Sequence, residues 1–359
     1  MSPSIDQVNA AEAATEQTAG HLEGNQDYGA RARGRVGIIT CANDWMAEPL
    51  SISELAALVQ PPKGVAAVCI VNADGLIELD GPDGLFEAGS LTKTMTATLL
   101  AVLVEERVLT LQTSVGEILG DRAGGAASVS LLELATHTSG LPRVAPNGMK
   151  LPFSPRDPYK RYDAERLYAG LAEIKLVDRG GPIAYSNLGF QLLGHCLAIA
   201  AGTEFNERLE VKIFRPAGMK TARCQPCADE GLVPKRYGPH KLLGGKRWHA
   251  ILAGHGGVDC AISDLAAWGR ANLVPASSPL EHAVRLAHEV HATHDRSLGL
   301  AWGFGQTSTW HNGATGSFQS MLAIVPGRFA VGALASCGPG GEYALDALIG
   351  AYIGSKTQS

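Results

Sequence analysis

Gly89-Ser90-Leu91-Thr92-Lys93 opens the apolar run Thr94-Met95-Thr96-Ala97-Thr98-Leu99-Leu100-Ala101-Val102-Leu103-Val104. A serine and a lysine stand three residues apart at its head. Three residues is close to one helical turn, so a helix points both side chains the same way. A serine needs a base to become a nucleophile, and a lysine whose pKa is lowered by burial can act as that base. The head of a helix also offers unpaired N–H groups and the positive end of the dipole, which suit an oxyanion. Taken alone, Ser-x-x-Lys is common by chance, and its bland reading is a helix start with an exposed lysine. The surrounding chain decides between the two.

Working outward, residues 65–71 read as a buried-type strand. Residues 72–75 (Asn-Ala-Asp-Gly) read as a turn and 76–79 as the returning strand, so a hairpin leads into the serine helix. That helix runs to about Arg107 and is apolar around most of its circumference, which marks a buried central helix. Residues 1–34 read as a polar tail, 35–40 as a short strand, and 51–59 as a helix capped by Ser51 or Ser53. Downstream, helices are expected over 130–136, 163–174, 188–201 and 204–213, with a proline-rich loop over 143–160. Past residue 245 the pattern predicts a helix over 263–273 capped by Ser263, a polar helix over 281–294, strands over 298–304, 317–324 and 329–335, and a closing helix over 342–353. Strands near both ends with helices between predict one sheet built from distant segments plus a helical insertion. The expected division is a tail at 1–34, a sheet domain from 35–115 and 245–359, and a helical subdomain at 116–244.

Composition narrows the class. Of 359 residues, 45% are hydrophobic and 18% charged, which excludes wholesale disorder. The net charge of -5, with no Lys/Arg block, points away from nucleic acid. No stretch of apolar residues is long enough for a membrane span. The seven cysteines are odd in number and sit mostly in apolar runs, which fits reduced thiols better than a disulfide framework. Residues 1–7 show neither a basic patch nor an apolar core, so the expectation is a soluble cytoplasmic protein.

Three polar clusters then stand out: Ser90 with Lys93, Tyr185 with Asn187, and His311-Asn312-Gly313. Each lies beside a glycine or an expected turn, where backbone can approach a substrate closely. Their order resembles the serine β-lactamase-like superfamily, in particular class C β-lactamases, penicillin-binding peptidases and β-lactamase-like esterases. The similarity extends to Phe86-Glu87-Ala88-Gly89-Ser90-Leu91-Thr92-Lys93, Thr136-His137-Thr138-Ser139-Gly140-Leu141-Pro142 and Tyr185-Ser186-Asn187-Leu188-Gly189-Phe190. It also takes in Gly256-Gly257-Val258 with Ser263-Asp264-Leu265, and Trp310-His311-Asn312-Gly313-Ala314-Thr315-Gly316. The resemblance implies an α+β fold, an antiparallel β-sheet flanked by helices with an all-helical subdomain, and a site in the cleft between them. It implies that Ser90 forms an acyl-enzyme, with Lys93 or Tyr185 as the base. It gives Asn187 to the acyl side chain or to Lys93, and an oxyanion hole to the N–H groups of Ser90 and Ala314 after the His-x-Gly turn of His311 and Gly313.

The chain also departs from that pattern. Many relatives begin the third motif with a lysine that meets a substrate carboxylate; here His311 stands, an imidazole that is largely neutral near pH 7. That weakens the case for β-lactams and D-Ala-D-Ala peptides, and the expected substrate is a small ester or amide cleaved by esterase-like or β-lactamase-like chemistry. The leading reading is a hydrolase. A transacylase passing the acyl group to an amine or alcohol is the second, and a non-catalytic penicillin-recognising protein the third. No cofactor is called for, and no metal set is assigned. His282, His288, His291 and His294 read as a solvated helix face, and Cys224-Gln225-Pro226-Cys227 as incidental thiols in a loop. Trp248, His249, His255, Trp302 and Phe304 fall in segments that line either the cleft or the core. Glu133 and Asp264 read as helix-terminal carboxylates, and His137 and Ser139 as residues that hold their loop.

Overall fold

In the computed structural model, strand β1 (Gly64–Asn72) is buried on both faces. Ala66, Val68 and Ile70 enter one core and Ala67, Cys69 and Val71 the other, as the two-residue period of a strand requires. β1 lies between β2 (Ile77–Asp80) and the long strand β11 (Phe329–Cys337), whose register runs from Gly64↔Cys337 to Asn72↔Phe329. The sheet continues through β10 (Phe318–Val325), β9 (Thr309–Ala314), β8 (Gly303–Phe304), β7 (Ser297–Leu298) and β6 (Ala292–Thr293). All pairings are antiparallel. A smaller sheet sets β5 (Val258–Cys260) between β3 (Phe86–Glu87) and β4 (Arg223–Cys224). The structure describes residues 51–61, 64–82, 84–148, 159–225 and 248–337, with positions 345, 349, 350, 352 and 353 of the closing helix. The tail at 1–34, the strand expected at 35–40 and Cys227 lie outside them.

Both faces of the sheet are covered, which explains its unbroken apolar strands. Helix α1 (Ile52–Leu58) and the closing helix bring Leu55, Val59, Leu345, Ile349 and Tyr352 onto one face. The other face packs on α8 (Ile262–Leu273), and α2 (Thr92–Glu105) and α9 (Glu281–His288), which pack on each other, share the same core. α2 is buried from Thr92 to Leu103. Its threonines survive there because Thr94, Thr96 and Thr98 each donate to a carbonyl three or four residues back. Between α2 and α8 come α3 (Val115–Leu119), α4 (Leu131–Ala135), α5 (Ala164–Ala172), α6 (Asn187–Ala201) and α7 (Phe205–Leu209). Local chemistry starts most of them. Ser51 with Glu54, Ser114 with Glu117 and Ser130 with Glu133 form reciprocal capping boxes, while Asp163 and Ser186 cap α5 and α6. Glu133 also pairs with Arg179, so its role is structural.

Several expected boundaries move. α8 starts at Ile262 after Ala261, not at Ser263, because Asp264 accepts the Ala261 N–H (3.0 Å) as well as the Thr221 N–H (3.0 Å). α9 stops at His288 instead of reaching 294: Glu289 turns extended, and the His291 N–H is donated to Leu298 O (2.9 Å) in the β6–β7 hairpin. The strand expected over 298–304 is broken, since Gly299 to Trp302 close a turn through the Gly299 N–H on Trp302 O (2.8 Å). The helix expected over 204–213 divides into α7 and a π-helical turn, Glu210–Phe214. Cys224 lies in strand β4 rather than in a loop.

Candidate active site

Ser90 sits in the 3₁₀ turn Gly89–Leu91, which runs directly into α2. Lys93, one turn on, is fully buried, so the reading of an exposed lysine at a helix start fails. Its Nζ lies 3.0 Å from Ser90 Oγ, 2.9 Å from Asn187 Oδ1 and 2.7 Å from the main-chain O of His255. It also lies 4.7 Å above the Tyr185 ring. Tyr185 donates its hydroxyl to Ser90 Oγ at 2.6 Å. The nucleophile candidate therefore has a lysine on one side and a phenol on the other. Asn187, the first residue of α6, spends its Oδ1 on Lys93 and its Nδ2 on the Tyr159 hydroxyl (3.2 Å). Its contacts hold the lysine.

The loop carrying Tyr185 is fastened by His137. The His137 carbonyl accepts the Ala184 N–H (2.9 Å), its Nδ1 accepts the Ser186 N–H (3.1 Å), and its ring packs 4.6 Å from the Tyr185 ring. A histidine accepting at Nδ1 carries its proton on Nε2. His137 takes this position at φ +59°, a left-handed conformation costly for most side chains. The expectation that His137 holds its loop is met, and the loop it holds ends at Tyr185.

The third motif lies on a strand, not in a turn. His311, Asn312, Gly313 and Ala314 belong to β9, paired with β10 from Gln319↔Ala314 to Ile324↔Thr309. β9 passes the Ser90 turn so closely that only glycines fit. A Cβ on Gly313 would lie 2.2 Å from Ala88 O and 2.8 Å from Ser90 N; one on Gly89, at φ +53°, would lie 2.9 Å from Ala314 N. The N–H groups of Ser90 and Ala314 thus flank one close crossing of backbone. His311 is buried, and its Nδ1–H is donated to Asn312 O (2.6 Å). It makes no hydrogen bond to Ser90, Lys93 or Tyr185.

Burial dominates the electrostatics. It holds Lys93 well below the usual lysine range, with the Arg143 charge acting in the same direction. Three acceptors around Nζ favour an ammonium, yet no carboxylate pairs with it among the described residues, and desolvation prevails. Burial pushes the Tyr185 phenol up, against the bond to Ser90 and the Arg143 charge. Burial first, then Lys93, takes His311 down to about 3, against its bond to Asn312. His255 is likewise at about 3 for the same two causes. Because burial leads in each case, the three histidines His137, His255 and His311 are neutral near pH 7 whether or not Lys93 is charged.

Two residues and one role escaped the sequence. Tyr159 and Arg143 come from the proline-rich loop, whose periodicity carries no signal. His255 acts on Lys93 through its carbonyl, which no side chain advertises, while its ring packs 4.3 Å from Tyr159. Trp248 lies at the Tyr159 edge (5.8 Å between rings), whereas Trp302 is core, stacked on His288. His288 is no solvated group: it pairs with Asn272 and Thr309, and burial lowers it to about 4. No group of three metal-ligating side chains occurs among the described residues. Within them no helix is long and apolar enough to cross a membrane.

Residues 64–351 match the Beta-lactamase family. A D-alanyl-D-alanine-carboxypeptidase/endopeptidase, AmpH of Escherichia coli (strain K12), is 32% identical over 152 residues, 41% of this chain and 39% of that protein. The unguisins hydrolase ungD' of Aspergillus campestris (strain IBT 28561) is 26% identical over 316 residues, 77% of this chain and 57% of that protein. The matches thus span about two fifths to under three fifths of these relatives' length. Among solved structures, a class C beta-lactamase superposes with a TM-score of 0.70 at 21% identity, covering 85% of this chain and 96% of its own. The class C enzyme of Rhodobacter sphaeroides gives 0.65 at 21%, covering 81% and 95%. At such identity the superpositions speak for the fold: a mixed α/β architecture with an antiparallel sheet, as expected.

Proposed function

The chain belongs to the beta-lactamase family of serine hydrolases, and on that premise we propose that it cleaves a small ester or amide through an acyl-enzyme on Ser90. The observation that carries the reading is the short polar chain Tyr185 OH–Ser90 Oγ–Lys93 Nζ, at 2.6 and 3.0 Å, around a lysine buried without a counter-ion among the described residues. A neutral lysine has two N–H donors and one lone pair. The carbonyl of His255 and Oδ1 of Asn187 can only accept, so they take the two N–H groups. The lone pair is left facing Ser90 Oγ. Lys93 is then the base and Tyr185, held protonated, the acid.

In this mechanism Lys93 Nζ takes the Ser90 proton as Oγ bonds to the substrate carbonyl carbon. The carbonyl oxygen gains the charge and meets the N–H groups of Ser90 and Ala314. Collapse breaks the bond to the leaving group, which takes the Tyr185 proton; the phenolate recovers a proton from the Lys93 ammonium. Water attacks the acyl-enzyme with the same groups in reverse order, which restores neutral Lys93 and Ser90–OH. Neutral His311 offers no fixed charge at the third-motif position, which supports a small ester or amide whose recognition does not depend on a cation there. Free buried thiols at Cys69, Cys196 and Cys260 support a reducing, cytoplasmic setting.

The test is steady-state hydrolysis of short 4-nitrophenyl esters and a chromogenic cephalosporin by the native protein and Ser90→Ala. The reading expects ester turnover abolished in Ser90→Ala and little cephalosporin turnover by either. Equal ester turnover by both proteins would refute it. Product analysis with an added alcohol or amine separates free acid, expected here, from the transferred product of a transacylase.

A further inference from the structure

Arg143 is exposed beside Tyr185, and among the described residues its guanidinium makes no hydrogen bond. Its carbonyl accepts the N–H groups of Asn187 (3.0 Å) and Leu188 (3.2 Å), so its backbone is latched to the helix start that holds Lys93. Its guanidinium lies over the Tyr185 ring, 5.2 Å from the centroid. That ring's hydroxyl touches the nucleophile candidate. The side chain is exposed, and among the described residues it has no ion pair and no hydrogen-bond partner. The face of Tyr185 orients the guanidinium plane without consuming its N–H groups.

No carboxylate charge among the described residues acts on the groups of the site. The titratable groups acting on Lys93, His137, Tyr185, His255 and His311 are Lys93, Arg143, Arg296, His311 and the Tyr159 phenol; none among the described residues is an aspartate or glutamate, and with Lys93 and the histidines neutral the cations are Arg143 and Arg296. Glu87, the acid nearest in sequence to Ser90, is buried and accepts the Trp248 N–H (3.1 Å). A planar, unpaired guanidinium fork suits a planar anion, and a carboxylate is the match in both charge and geometry.

We propose that Arg143 is a specificity-determining residue that selects acyl substrates bearing a carboxylate, pairing with that group beside Tyr185. The proposal rests on the serine hydrolase reading and names a substrate class within it: small esters or amides that carry an acidic group on either the acyl or the leaving side.

The experiment compares charged and neutral members of matched pairs. 4-Nitrophenyl hydrogen succinate and its methyl ester place the charge on the acyl side; 4-acetoxybenzoate and its methyl ester place it on the leaving side. The readout is the ratio of kcat/KM, charged over neutral, in the native protein, Arg143→Gln, Arg143→Lys and Arg143→Glu. In one pair the native ratio is expected to be about tenfold in favour of the charged ester, the scale of one charge-assisted pair open to water. Arg143→Gln brings that ratio to about one and Arg143→Glu below one. Arg143→Lys keeps part of it, and 0.5 M salt erodes it. A native ratio near one in both pairs, or a ratio unchanged in Arg143→Gln, overturns the proposal. Failure of the underlying reading looks different: no ester of either kind is turned over and Ser90 takes no label, which overturns both.

Discussion

Gly313→Ala adds one methyl group where β9 crosses the Ser90 turn, and the structure sets the size of the disturbance. The new Cβ would sit 2.2 Å from Ala88 O, 2.5 Å from Ser320 Oγ and 2.8 Å from Ser90 N, against ordinary contact at 3.4 Å and beyond. Ser320 cannot simply swing aside, because its hydroxyl is donated to the same Ala88 carbonyl at 2.6 Å. β9 must therefore move by about 1 Å relative to the Ser90 turn. Overpacking of this kind costs about 1–3 kcal/mol, and at this chain length each kcal/mol lowers Tm by about 2–4 °C or less. The larger effect is on rate. Displacing the Ala314 N–H from the Ser90 N–H would remove one of the two proposed oxyanion donors, worth about 10²–10³ in kcat, and a 1 Å misplacement alone is worth about 10². The expected result is a kcat at least about 100-fold lower with KM changed little, since the lost contact forms mainly in the transition state. Stopped-flow hydrolysis of 4-nitrophenyl acetate and a thermal melt measure both effects. Gly350→Ala makes the same chemical change in the closing helix, where the added Cβ meets nothing within 4 Å, and serves as control. A Gly313→Ala protein with kcat within tenfold of native would refute the oxyanion geometry.

Other consequences follow from the same contacts. As the proposed base Lys93 would work only when neutral, so kcat/KM is expected to fall as pH drops through its lowered pKa; the acid limb is expected well below 10.5, and a limb at the ordinary lysine value would contradict the assignment. The same shift has a stability sign. Below the unfolded lysine pKa the native state binds fewer protons than the unfolded one, so Lys93 destabilises the fold increasingly as pH falls from about 10.4 toward its native pKa. Lys93→Met is thus inactive yet melts higher at pH 7, with the gain shrinking toward pH 10; a lower Tm at pH 7 would sink this. Tyr185→Phe keeps the ring under Arg143 but removes the proton given to the leaving group, and kcat is expected to fall about 10²–10⁴-fold. His137→Ala loses the Nδ1 acceptor in a left-handed conformation, at a cost of about 1–2 kcal/mol for the backbone alone. Asn tolerates that conformation and its Oδ1 can accept the Ser186 N–H, so His137→Asn recovers much of the Tm and kcat. Equal damage from both variants would contradict the positioning role.

What the sequence revealed was what is local. The spacing of Ser90 and Lys93 is a helical turn, and the capping serines at Ser51, Ser114 and Ser130 act over three residues. The hairpin of β1 and β2 is set by one short turn. The α+β architecture and the resemblance followed from motifs of this range. What stayed hidden depends on partners far along the chain. β9 looks like a turn because its glycine answers to the Ser90 backbone more than 200 residues away rather than to its own neighbours. The short strands β6, β7 and β8 carry too few residues for a period. Lys93's burial, which reverses the bland reading of the motif, is made by α6 and the His255 loop. Arg143 and Tyr159 belong to a loop whose prolines mark only where regular structure stops.

The central claim is a covalent bond to Ser90, and intact mass read on the millisecond-to-second scale after mixing with a 4-nitrophenyl ester tests it directly. The account predicts a transient increase equal to the acyl group, mapped by peptide digestion to Ser90, growing as fast as 4-nitrophenol is released and absent in Ser90→Ala. Ester turnover with no mass increase, or with the acyl group on another residue, would contradict it.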